Sequence, residues 1–177
     1  MKTTFFYGLV MAIVSILQNY IMYFLGFHDS VEKFRTGQMI GGILGIAIGI
    51  ACLVLSVRAR RAEIPATEGF GYGRSLFASF MTSLWAVIFT TISWVLYIAV
   101  VNPGVREIMV QSELAKAQAK GVSSDQLEKA EGMIRMFMGP IPQGIVGFCI
   151  GLIIWTLISL IVAAFIRRAA QDAPPAV

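Results

Sequence analysis

Four apolar stretches, residues 5–27, 38–57, 75–101 and 141–166, contain no Asp, Glu, Lys, Arg or His. Each reaches the ~20 residues that a helix needs to cross a hydrocarbon core about 30 Å thick. Backbone groups in lipid find no water, so a crossing segment satisfies its own hydrogen bonds as a helix. Only 14% of the chain is charged, against about 25% in soluble domains. The expected fold class is all-α: a four-helix transmembrane bundle with an external two-helix hairpin at about 102–140, forming one integral membrane domain over residues 1–177. Lys2 before the first stretch invites a signal-peptide reading. The run is too long for that, and Leu25-Gly26-Phe27-His28 offers no A-x-A cleavage site, so it reads as a retained helix.

Small residues recur inside these stretches at helical spacing. In the second, Gly42, Gly45, Gly49, Cys52 and Ser56 form one register, and Gly37, Gly41, Gly45 and Gly49 form another at strict four-residue steps. Glycine inside a soluble helix costs about 1 kcal/mol relative to alanine. In a bilayer, small residues let helix backbones approach and gain dispersion contacts. Both registers therefore mark helix packing, with Gly45 and Gly49 common to the two. The other stretches carry similar stripes: Gly8, Ala12, Ser15, Asn19 and Gly26; Ser75, Ser79, Thr82, Ala86, Thr90 and Ser93; and Gly144, Gly147 and Gly151. Cys52 and Cys149 read as small apolar packing residues rather than a disulfide or metal pair.

Lys and Arg divide seven and seven between the two faces, but Glu63, Glu68 and Asp172 are the only acids on the side of Lys2, Arg58–Arg74, Arg167 and Arg168. The other side carries seven acids. The positive excess and the helix-end arginines place both termini and the 58–74 connection in the cytoplasm, with 28–38 and 102–140 outside. The net charge of +4 is accounted for by anionic lipid and calls for no nucleic acid. In the inner connection, Phe70 and Tyr72 are expected at headgroup level, among glycines that break a helix.

The 102–140 segment is the one extended polar stretch. Asn102 and Pro103 suit the N-cap and first position of a helix running to about Lys120 and stopping at Gly121. Ser123 with Gln126 has capping-box spacing, and Val122 with Leu127 forms a staple. Leu127, Ala130, Ile134 and Phe137 then recur at helical spacing, flanked by Met133 and Met138. This stripe is expected to lie along the membrane surface or on the tops of the bundle helices.

Chemistry is sparse. Gly69, Gly71 and Gly73 lack the strand–turn–helix setting and the Lys-Ser/Thr of a phosphate loop. His28, Asp29 and Glu32 lack further metal ligands and read as a solvated helix end. Met133, Met136 and Met138 are soft donors suited to Cu(I), but the amphipathic pattern already explains them. Gln18 and Asn19 are the most polar residues within any stretch, and a buried amide there either joins helices or marks a path. With Thr90 and Thr91 they form the candidate polar path or helix glue. Asn19 and Thr90 should share a depth, with a hydrogen bond from Asn19 to Thr90 or Thr91. No ionisable group lies at membrane depth to activate a nucleophile, so no catalytic residue, cofactor or metal is expected, and the chain is not expected to be an enzyme.

Taken in order, the four stretches, the basic turn Gly69-Phe70-Gly71-Tyr72-Gly73, Asn102-Pro103, the segment Lys120-Gly121-Val122-Ser123-Ser124-Asp125-Gln126-Leu127-Glu128 and the closing Arg167-Arg168 form a recognisable pattern. It resembles the bacterial membrane family catalogued as domain of unknown function 4199. The resemblance implies an inner-membrane protein and brings no activity or catalytic residue. The expected role is a structural, assembly or regulatory subunit contacting lipid and a second copy or a membrane-protein partner. The alternative is a small transporter or oligomeric channel using the path near Asn19.

Overall fold

The computed structural model describes residues 1–65 and 67–167. Arg168 and Asp172, which entered the charge argument, lie outside the described residues. Six α-helices are present: α1 Lys2–Phe24, α2 Val31–Ala62, α3 Tyr72–Leu96, α4 Val105–Ala119, α5 Ser124–Phe137 and α6 Pro140–Ile166, with a π-helical turn at Tyr97–Val101 after α3. Four of these helical segments, Lys2–Phe24, Val31–Ala62, Tyr72–Val101 and Pro140–Ile166, are long and apolar enough to cross a membrane.

Two glycines end helices by the same device. Gly26 (φ 77°) and Gly121 (φ 82°) take the left-handed conformation, which costs glycine no Cβ clash. Behind Gly26, Phe27 N–H bonds Met22 O at 3.0 Å and Gly26 N–H bonds Tyr23 O at 2.9 Å. Behind Gly121, Val122 N–H bonds Ala117 O at 3.2 Å and Gly121 N–H bonds Gln118 O at 2.9 Å. Both are Schellman closures.

Other boundaries depart from expectation. Helix α2 starts at Val31, inside the expected first loop, and its 32 residues give a length of about 48 Å. Asn102 is not the cap of α4; Gly104 holds that position, and Asn102 is used elsewhere. Ser123 does cap α5, but without the side-chain bond that its capping-box spacing suggested. Gly73 lies inside the first turn of α3 rather than breaking it.

The chain divides into two compact units. One comprises residues 1–14, 46–89 and 150–167 of the described chain. Its core joins Leu53, Val57, Phe70, Ala78, Val162 and Ile166, with a second cluster at Met11, Cys52 and Ala86. Phe70 is fully buried there, packed against residues of α2, α3 and α6 rather than presented outward as an interfacial anchor would be. Tyr72 remains exposed, with its hydroxyl bonded to Leu160 O at 3.3 Å. Of the small-residue stripe on α3, Ser75, Ser79, Thr82 and Ala86 are buried and Thr90 and Ser93 half-buried; Ser83, off that stripe, is buried too. Thr82 Oγ1 donates to Ala78 O at 2.9 Å, so Ser56 Oγ donates to Thr82 Oγ1 at 2.6 Å. Ser83 and Ser159 hydroxyls bond at 3.2 Å.

The glycines show which registers are in contact. A Cβ on Gly8 would lie 2.7 Å from Trp85 Cβ, and one on Gly49 would lie 1.8 Å from Trp155 Cη2. Cys52 and Ser56 complete the buried side of α2 in this unit, while Cys149 is exposed.

The other unit comprises residues 15–45 and 90–149. Its core is Phe34, Tyr97, Ile98, Val105 and Met109, ringed by Tyr20, Tyr23, Trp94, Ile108 and Met138. Here a Cβ on Gly37 would meet Phe27 at 2.9 Å, one on Gly41 would meet Gln18 Nε2 at 3.2 Å, and one on Gly144 would meet Val95 Cγ2 at 2.5 Å. Gly45 has only Gln18 Oε1, at 4.0 Å. Gly42 and Gly147 face open space. The strict four-residue register therefore makes the contacts, and Gly42, expected on the packing face, lies off it. Helix α4 is tied to α2 through Arg35, whose Nε donates to Ser112 Oγ (3.2 Å) and Nη2 to Ser112 O (2.9 Å).

Candidate functional site

The polar residues that the sequence singled out on α1 converge in the second unit. Gln18 Nε2 donates to Gly41 O at 2.7 Å. That approach is open because position 41 has no side chain. The bond fixes the amide, and Gln18 Oε1 is left buried without a hydrogen-bond partner. A cavity of about 190 Å³ adjoins it, lined by Gln18, Asn19, His28, Phe34, Gln38 and Trp94 among others. A second cavity of about 180 Å³ is lined by Ser15, Ile16, Asn19, Thr90, Ser93 and Trp94. Ser15, Asn19 and Trp94 border both.

Asn19 and Thr90 thus meet on one cavity. Thr90 has a partner of its own there. Thr91 turns its methyl towards Gly144 instead, 3.7 Å from where a Cβ would sit. Gln18 makes an interhelical bond, from α1 to α2.

The sequence did not reveal a second polar centre in this unit. His28 is buried rather than solvated, with 8% of its surface exposed. Its Nδ1 bonds the Tyr97 hydroxyl, and Asn102 Nδ2 donates to that same hydroxyl at 3.0 Å. The Tyr97 hydroxyl thus stands between the imidazole and the amide. The π-helical turn begins at Tyr97 and closes with Asn102 N–H bonded to Tyr97 O at 2.8 Å. Aromatic rings enclose the pair: Phe34 lies 5.6 Å from His28, and Tyr20, Tyr23 and Trp94 lie 5.8, 5.8 and 5.4 Å from Tyr97. Burial pushes the His28 imidazole below its ordinary range, against the opposing charge of Asp29. A lone histidine beside two carboxylates gave no signal of this, because its partners Tyr97 and Asn102 are remote in sequence.

The other expected sites are dispersed. Among the described residues, no three His, Cys, Asp or Glu side chains gather as metal ligands. Met133 and Met136 are exposed on α5, whereas Met138 packs towards the core and accepts from Gln143 Nε2 at 3.2 Å. A larger cavity of about 360 Å³ lies in the first unit, lined by Thr4, Arg60, Glu68, Phe70 and Arg74 among others. Arg60 pairs with Glu63, and Arg74 with Glu68 at 3.0 Å. These pairs take up the charge that would recruit an anion.

The fold is that of an all-helical protein with four candidate membrane spans among the described residues. The chain belongs to the family described as protein of unknown function (DUF4199), which matches residues 6–168. No curated protein and no solved structure matches it.

Proposed function

We propose that the chain is a non-catalytic inner-membrane protein of bacterial type, with both termini cytoplasmic, acting as a structural, assembly or regulatory subunit. One observation carries this reading: three hydroxyl or amide contacts tie one span to another. The Ser56–Thr82, Ser83–Ser159 and Gln18–Gly41 bonds are all of this kind. Such bonds join helices in lipid, at about 0.6 kcal/mol each on average. Helix α6 is the least buried of the four spans, and Gly42 and Gly147 are open. These surfaces suit lipid, a second copy or a membrane-protein partner.

The adjoining cavities around Asn19 favour a second reading, a path for a small uncharged solute. Reconstitution into liposomes separates the two. The contact reading expects glycerol and urea fluxes equal to those of empty liposomes. A flux above that level, abolished by Asn19→Leu, would overturn it in favour of the path.

A further inference from the structure

Helix α5 has two faces where the sequence suggested one apolar stripe. Leu127 is buried and Ala130 and Ile134 half-buried on the side towards α4, the helix that α5 packs against. A different arc carries Gln126, Lys129, Met133, Met136 and Phe137, all exposed. At 3.6 residues per turn these five share one side. Their order is uneven: the polar members come first and the apolar members last. Met133 and Met136 are each 62% exposed and Phe137 47%.

The apolar end of this face leads into a span. Only Met138 and Gly139 separate α5 from α6, so Phe137 lies within about 11 Å of Pro140 along even a fully extended chain. Ile141 and Ile145, at the start of α6, are 64% and 61% exposed. The opposite side of α5 is charged and clamped. Arg135 pairs with Glu107 at 2.6 Å and with Glu131 at 2.8 Å, and Arg106 Nη2 donates to Arg135 O at 2.7 Å. The hairpin therefore presents its free face on a braced support.

We propose that α5 enters the lipid surface obliquely, its C-terminal end deepest. Met133, Met136 and Phe137 lie in the boundary between headgroups and acyl chains, Lys129 at the phosphates, and Gln126 in water. A helix lying flat would bury Gln126 and Lys129 to the same depth as Met133 and Phe137, and their chemistry opposes that. Long apolar side chains next to a spanning helix and a lysine one turn back suit an anionic lipid interface.

The test is nitroxide labelling of the full chain in liposomes of mixed zwitterionic and anionic lipid. Labels are placed through Gln126→Cys, Lys129→Cys, Met133→Cys and Phe137→Cys, in a background carrying Cys52→Ala and Cys149→Ala. All four positions are exposed, so the labels should not disturb packing. A label through Gln111→Cys on α4 serves as the water reference. The ratio of oxygen to nickel-chelate collision is expected to rise stepwise from Gln126 through Lys129 and Met133 to Phe137. A ratio equal at all four positions would overturn the oblique arrangement. Shielding of Met133 and Phe137 from both reagents would also overturn it, by showing that protein covers the face.

Discussion

A tight approach between helices, at Gly49, gives the sharpest stability prediction. A Cβ added there would lie 1.8 Å from Trp155 Cη2 and 2.6 Å from Cζ2 and Cζ3, about half an ordinary contact distance. The indole has to move, and it packs against both clusters of its unit, the Leu53–Val57–Phe70 core and the Met11–Cys52–Ala86 group. Overpacking of this kind costs about 1–3 kcal/mol. Alanine's better helix propensity returns up to about 1 kcal/mol. Gly49→Ala is therefore expected to lose about 0–2 kcal/mol, whereas Gly42→Ala, facing open space, loses nothing or gains slightly. Unfolding in mixed micelles by a denaturing detergent measures both. Trp155→Leu removes the obstructing ring, so Gly49→Ala in that background should cost less, with a coupling of about 0.5–3 kcal/mol. Equal behaviour of Gly49→Ala and Gly42→Ala, together with zero coupling to Trp155, would refute the argument.

The same unfolding assay checks three further expectations. Ser56→Ala removes the donor to Thr82 and should cost about 0.6 kcal/mol; Thr82→Val in that background should then add less than it does alone. Asn19→Leu should leave stability within about 0.6 kcal/mol of the parent, the average worth of one interhelical hydrogen bond in lipid, and a large loss would reveal an essential partner. His28 titrates lower in the folded chain than the ordinary value of 6.5, so between its folded pKa and 6.5 the unfolded state binds more protons. Stability should accordingly fall as pH drops through 6.5 and level off below the folded pKa. His28→Gln should flatten that part of the profile, and an unchanged slope would count against the buried neutral imidazole.

The spans were legible because lipid imposes a single rule, continuous apolarity over a fixed length, that any order of Leu, Ile, Phe and Gly satisfies. The hairpin was legible because Gly121 is the residue that closes a helix in the left-handed conformation. The packing face of α2 was legible only up to a choice of register. Gly45 and Gly49 belong to both, and the geometry that excludes Gly42 depends on Gln18 and Trp155, distant in sequence. Phe70 was misplaced because an aromatic between glycines reads equally as an interfacial anchor or a core plug until the neighbouring helices are known. Gln18 and Asn19 look alike in sequence. Which one bonds across to α2 is decided by a single rotation step on α1 and by the missing side chain at Gly41. The His28–Tyr97–Asn102 centre was hidden because a π-helical turn shifts helical phase by one residue, and no composition signal marks that shift.

Four crossings are central to everything above, and α3 separates two connections that carry exposed residues. Thr67 and Lys120 are exposed on either side of it in sequence. The direct measurement is labelling of Thr67→Cys and Lys120→Cys, each in a background lacking Cys52 and Cys149, by an impermeant maleimide in intact cells. Lys120→Cys is expected to react, with Thr67→Cys silent until the membrane is opened. The reverse pattern would contradict the cytoplasmic placement of the termini, and equal reaction of the two positions would contradict the crossing itself.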